Sequence, residues 1–109
     1  MRTLKFIVDG QIILRDPYCS FNHLVPGTEG YIKAEFTFTK EWDKCAKVAQ
    51  FKSEMGTEFP PQILEDGYSC IIPAEALAKK KFRVVVLGKG NEYILTTNDV
   101  TVHQNGGNK

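Results

Sequence analysis

The clearest periodicity in the chain runs from Tyr31 to Thr39, where Ile32, Ala34, Phe36 and Phe38 alternate with Lys33, Glu35, Thr37 and Thr39. A period of two sends successive side chains to opposite faces of a strand, so one face is buried and the other wet. Thr3–Val8 and Gln11–Arg15 flank Asp9-Gly10, and Asp-Gly between two β-rich runs predicts a tight hairpin with positive φ at both turn positions. Further strands are predicted over Ala46–Lys52, Gln62–Leu64, Tyr68–Ile72, Lys81–Leu87, Glu92–Leu95 and Val100–His103. Turns fall at Lys40–Lys44, Asp66-Gly67, Gly88–Asn91 and Asn98-Asp99. Pro60-Pro61 cannot donate to a ladder, which makes Gln62–Leu64 an edge strand. Pro73–Lys79 reads as a helix of about two turns, with proline first, Glu75 early and lysine last.

Eight or nine short strands, turn signals every roughly 8–12 residues and one short helix predict an all-β protein. The expected architecture is a small immunoglobulin-like β-sandwich lacking the Cys…Trp…Cys pattern of antibody domains. One domain is expected over residues 1–103, followed by a polar C-terminal tail over residues 104–109. Asp16–Gly30 holds Pro17, Asn22, Pro26 and Gly27 and reads as a loop. It is longer than most connections, and such loops tend to carry function.

Composition narrows the function. The 109 residues fit one domain, and 14 basic against 13 acidic side chains leave a net charge of +1. Nucleic acid is disfavoured as a partner, because phosphate binding draws on a clear basic excess. No apolar run approaches the ~20 residues a spanning helix needs, and no basic-plus-apolar leader opens the chain. Neither membrane association nor signal-directed secretion is expected. Cys19, Cys45 and Cys70 form no C-x-x-C pair, which suits free thiols in a reducing compartment.

Candidate chemistry is sparse. Asp16, Cys19 and His23 share one loop, but their spacing does not force a thiolate–imidazole pair together. Cys19, His23, Cys45, Cys70 and His103 are too dispersed for the paired spacing of a zinc site. Glu65-Asp66 is turn chemistry, and Gly88–Asn91 lacks the helix that follows a phosphate-binding loop. Catalytic residues, cofactors and metals are therefore not expected. Contact with a partner is a better fit. Tyr18, Phe21, His23 and Phe59 sit in loops where aromatic side chains can anchor a partner. Trp42 reads either as such an anchor or as a plug over the sandwich end. Lys79, Lys80 and Lys81 offer a basic patch for an acidic protein surface. The reading with more weight has them complement the helix C-terminus and guard a hydrophobic strand.

The ordered runs Phe36-x-Phe38-x-x-x-Trp42-Asp43, Lys47-x-Ala49-x-Phe51, Cys70-x-Ile72-Pro73-x-Glu75-x-Leu77 and Thr96-x-Asn98 resemble a small β-domain. That domain occurs in tail, baseplate and tail-fibre proteins of phages and prophages of Gram-positive bacteria. The resemblance spans roughly residues 31 to 103. It implies a non-enzymatic structural module, a tail or baseplate adaptor acting through protein–protein binding, with homo-oligomerisation and residence in the virion. It carries over no active residue. In such proteins the domain usually heads a longer chain, whereas this sequence ends at Lys109. The alternative expectation is a phage-encoded, anti-CRISPR-like inhibitor that binds and blocks a host immune protein in the host cytoplasm.

Overall fold

Alternating burial organises the chain into nine strands in a computed structural model that describes residues 1–104. In chain order they are β1 (Arg2–Asp9), β2 (Ile12–Arg15), β3 (Ile32–Phe38), β4 (Ala46–Ser53) and β5 (Gln62–Ile63). β6 (Ser69–Ile71), β7 (Lys81–Lys89), β8 (Ile94–Thr96) and β9 (Val100–His103) complete the set. A 3₁₀ turn covers Lys40–Trp42, and the one α-helix among the described residues, α1, covers Ala74–Leu77. Apart from Gln104, the polar tail expected over residues 104–109 lies outside the described residues.

The strands form two sheets, as expected for a β-sandwich. One has the order β2-β1-β3-β6; the other has β5-β4-β7-β8, with β9 also pairing β7. Leu4, Phe6 and Val8 of β1 and Ala34 and Phe36 of β3 face Ala49 and Phe51 of β4 and Phe82, Val84 and Val86 of β7 across the core. Phe6 stacks on Phe36 at 5.3 Å between ring centroids. Each fully buried aromatic or aliphatic side chain here contributes about 1.5–3 kcal/mol relative to exposure. The β3–β6 and β4–β7–β9 neighbours match the B–E and C–F–G neighbours of an immunoglobulin sandwich. The first pair does not, because β1 runs parallel to β3 from Arg2↔Ile32 to Val8↔Phe38. A parallel pair needs a crossover, and β2 with the loop after it supplies the return path.

Several local expectations are corrected. Asp9 pairs with Ile12, so the turn residues are Gly10 and Gln11, and only Gly10 takes positive φ, at 60°; this suits a type II′ turn. The helix is one turn long, because its end is set elsewhere: Gln104 Nε2 donates to the carbonyls of Leu77 (3.0 Å) and Lys79 (2.6 Å), and Gln104 N donates to Lys80 O. Gln104 is buried and belongs to the fold rather than to the tail. β7 runs through Gly88 and Lys89 instead of turning there, and β8 begins at Ile94. Gly88 is needed in mid-strand: a Cβ there would lie 2.7 Å from Trp42 Cζ3.

Candidate interaction site

The segment between β2 and β3 is a pinned loop, not a slack one. Asp16 N donates to Lys5 O, and Asp16 Oδ1 accepts from Tyr18 N at 2.8 Å, an Asx turn. The Arg2 guanidinium then donates to three loop carbonyls, those of Ser20 (3.1 Å), Asn22 (2.6 Å) and His23 (3.3 Å). Leu24 is buried, and Gly27 N reaches across to Leu77 O at 2.8 Å. His23 adopts φ 61°, a left-handed conformation that costs a non-glycine residue roughly 1–2 kcal/mol.

That anchoring sorts the candidate residues of the loop. Phe21 is half-buried, its ring edge-on to Phe6 at 5.5 Å with the Arg15 guanidinium 5.4 Å from its centroid. Tyr18 is the opposite case, 98% exposed. It stands beside an open groove of about 650 Å³ whose lining includes Arg15, Pro17, Phe21 and Asn22. His23 is exposed. A free aromatic on a loop whose backbone is already ordered is a low-entropy contact for a partner.

The same loop disperses the candidate nucleophile and its neighbours. Asp16 is engaged by Tyr18 N. Cys19 Sγ accepts from Lys5 N at 3.3 Å and lies 3.7 Å from Thr3 O, so its partners are backbone groups of β1. Among the described residues no three His, Cys, Asp or Glu side chains gather in a way that could hold a metal ion. No described helix is long and apolar enough to cross a membrane.

Elsewhere the structure separates the predicted residues. Trp42 is completely buried. Its indole N–H donates to Gly10 O at 2.8 Å, and its ring packs on Phe38 at 5.2 Å. It is therefore the plug and not an exposed anchor. Phe59 is half-buried against the core, its N–H donating to Phe51 O. Lys79 and Lys80 are exposed beside Met55, whereas Lys81 pairs with Glu54 at 3.3 Å. No basic residue falls in the last turn of α1; Gln104 does the capping that the lysines were expected to do. Cys70 is held by burial, and secondarily by the charge of Asp66, with its thiol pushed up to about 12. Asp66 itself is held below the usual carboxylate range by the Ser69 hydroxyl and then by the Tyr68 N–H.

One surface escaped the sequence reading. Val48 lies directly opposite both Ile63 and Leu87, so the three form an aliphatic stripe on the outer face of the second sheet, with Ile63 67% exposed. The signal was the unbroken run Val84–Leu87, which an antiparallel strand with one wet face would interrupt with polar residues.

No family model matches the chain, and no curated protein or solved structure matches it. The residues of the ordered motif set are mostly architectural here: Phe36, Trp42, Ala49, Phe51, Ile72 and Leu77 are all buried, and Asn98 Oδ1 accepts from Ile13 N.

Proposed function

We propose that this protein is a non-catalytic binding module that docks onto another protein through the Asp16–Gly30 loop, as a tail or baseplate adaptor of a phage. The observation that carries the docking reading is Tyr18, almost wholly exposed on a loop that Arg2 fastens at three carbonyls. A flexible loop would lose entropy on binding, whereas a fastened one presents its aromatic in place. The order of motifs from Phe36 to Asn98 supports the phage assignment by resemblance.

Affinity capture from phage-infected cells and from disrupted virions, with the partner identified, tests both parts. The expected result is a tail or baseplate protein, retained by the wild type and lost by Tyr18→Ala. Capture of a host immune effector in its place would replace the adaptor with an inhibitor. Binding indifferent to Tyr18→Ala would remove the loop as the contact surface.

A further inference from the structure

Exposed sheet margins are templates for pairing with another chain unless something blocks them, and several margins here are partly engaged by groups from elsewhere in the chain. On β2, Ile13 N donates to Asn98 Oδ1 at 2.9 Å and Gln11 O, just ahead of the strand, accepts from Asn98 N. On β8, Thr96 O accepts from Gln11 Nε2, and β9 packs beside β2. β5 is only two residues long and follows Pro60-Pro61. β6 lies beside β5, and of its outward backbone groups one, the Ser69 N–H, is engaged. Phe36 N donates to Tyr68 O, and Ile72 N donates to Ile32 O. The period of two therefore turns the backbone groups of Ser69 and Ile71 away from β3. Asp66 Oδ1 takes Ser69 N at 2.7 Å. Ser69 O and both backbone groups of Ile71 have no protein partner among the described residues. The strand reads Ser-Cys-Ile, with no charge or proline to deter pairing.

We propose that β6 is the pairing edge for a second copy of this chain, the two β6 strands joining antiparallel about a two-fold axis at Cys70. The edge is self-complementary. Its free acceptor, Ser69 O, and its free donor, Ile71 N–H, are two residues apart, so the two-fold sets each donor opposite the other copy's acceptor. Charges agree with this arrangement. Ile71 is in register with Lys33 on β3, while Ser69 is tethered to Asp66. Antiparallel pairing brings the Glu65-Asp66 end of one copy towards Lys33 of the other, opposite sign to opposite sign. Ile71, 41% exposed, and Ile63 line one groove of about 410 Å³ with these residues and lose solvent contact on joining. The four-stranded sheet is thereby doubled across the axis.

This association does not use the Tyr18 surface, and the Tyr18→Ala variant dimerises like the wild type, so the two readings fail separately. The test is sedimentation velocity of the full chain over a concentration series, with amide hydrogen exchange followed at Ile71. A monomer–dimer equilibrium is expected, with the Ile71 amide increasingly protected as concentration rises. Ile71→Pro removes the outward N–H together with the isoleucine side chain and leaves the ladder to β3 complete; Ile71→Lys places a charge on the edge. Each is expected to weaken association by about tenfold or more, with an unchanged monomer circular dichroism spectrum. Should Ile71→Pro not fold, Ile71→Lys and the wild-type exchange data decide. A protein that stays monomeric to roughly 1 mM overturns the proposal, as does a dimer indifferent to the variants that fold. Ile71 protection that appears only on adding a different protein also overturns it.

Discussion

Replacing Gly88 by alanine is the sharpest probe of how the two sheets are locked together at one end. The added Cβ would sit 2.7 Å from Cζ3 and 2.8 Å from Cε3 of Trp42, and 3.1 Å from Cβ of Cys45. Contacts that short must relax. Trp42 has little room to move, being fully buried and tied to Gly10 O on the facing hairpin at 2.8 Å. Overpacking of this kind costs about 1–3 kcal/mol, and stretching the indole hydrogen bond adds about 1 kcal/mol. We expect Gly88→Ala to destabilise by about 2–4 kcal/mol, lowering Tm by roughly 8–16 °C in a domain of this size. Trp42→Phe should by itself cost about 2–4 kcal/mol through the cavity and the orphaned Gly10 carbonyl. It also removes the two ring atoms that the new methyl group would strike. The double variant should therefore be less destabilised than the sum of the single variants, with a coupling of at least about 1 kcal/mol. Urea unfolding followed by far-ultraviolet circular dichroism measures all four proteins, since Trp42 is the only tryptophan and cannot report on its own replacement. A Gly88→Ala protein within about 0.5 kcal/mol of the wild type, or a strictly additive cycle, would refute the plug.

Other outcomes follow from the same structure. Gln104→Ala removes the side-chain donor to Leu77 O and Lys79 O and should destabilise by about 1–3 kcal/mol in the same assay; a neutral result would return residue 104 to the tail. His23→Gly relieves the left-handed backbone at φ 61° and should stabilise by up to about 1 kcal/mol, whereas a destabilised variant would show that the imidazole has a packing role. Cys70, with its thiol pushed up to about 12 by burial, stays protonated through neutral and mildly alkaline pH. Its native reaction with a thiol reagent at about pH 8 should lag well behind that of the unfolded chain, and equal rates would contradict its burial. Arg2→Lys should speed amide exchange across residues 16–24, because a single ammonium cannot reproduce the planar fork that spans three carbonyls; unchanged exchange would mean the loop is fastened by its turns alone.

Short-range signals were sufficient for much of this molecule. The alternation from Ile32 to Phe38 places its side chains correctly because strand facing depends only on a residue's parity. Pro60-Pro61 marks an edge because the missing N–H is a property of the residue itself, and β5 does lie at a sheet margin. Tyr18, Phe21 and His23 were legible as loop residues. Which of them stands free was not, since that depends on Arg2 and Phe6, distant in the chain.

Tertiary structure decided what hangs on long-range partners. The parallel β1–β3 pair cannot be read from either strand, because both partners carry the same alternation and the choice of neighbour is made by the whole sheet. Trp42 could be anchor or plug until Gly10 and Gly88, from opposite sheets, closed over it. The helix stops after one turn because Gln104, from the far end of the chain, takes its carbonyls. Local patterning chose the strands and their facing, since those are set by each residue's own geometry and its nearest neighbours. Pairing order, the closed end and the free backbone groups along β6 arise only when residues remote in sequence compete for the same hydrogen-bonding groups and the same space.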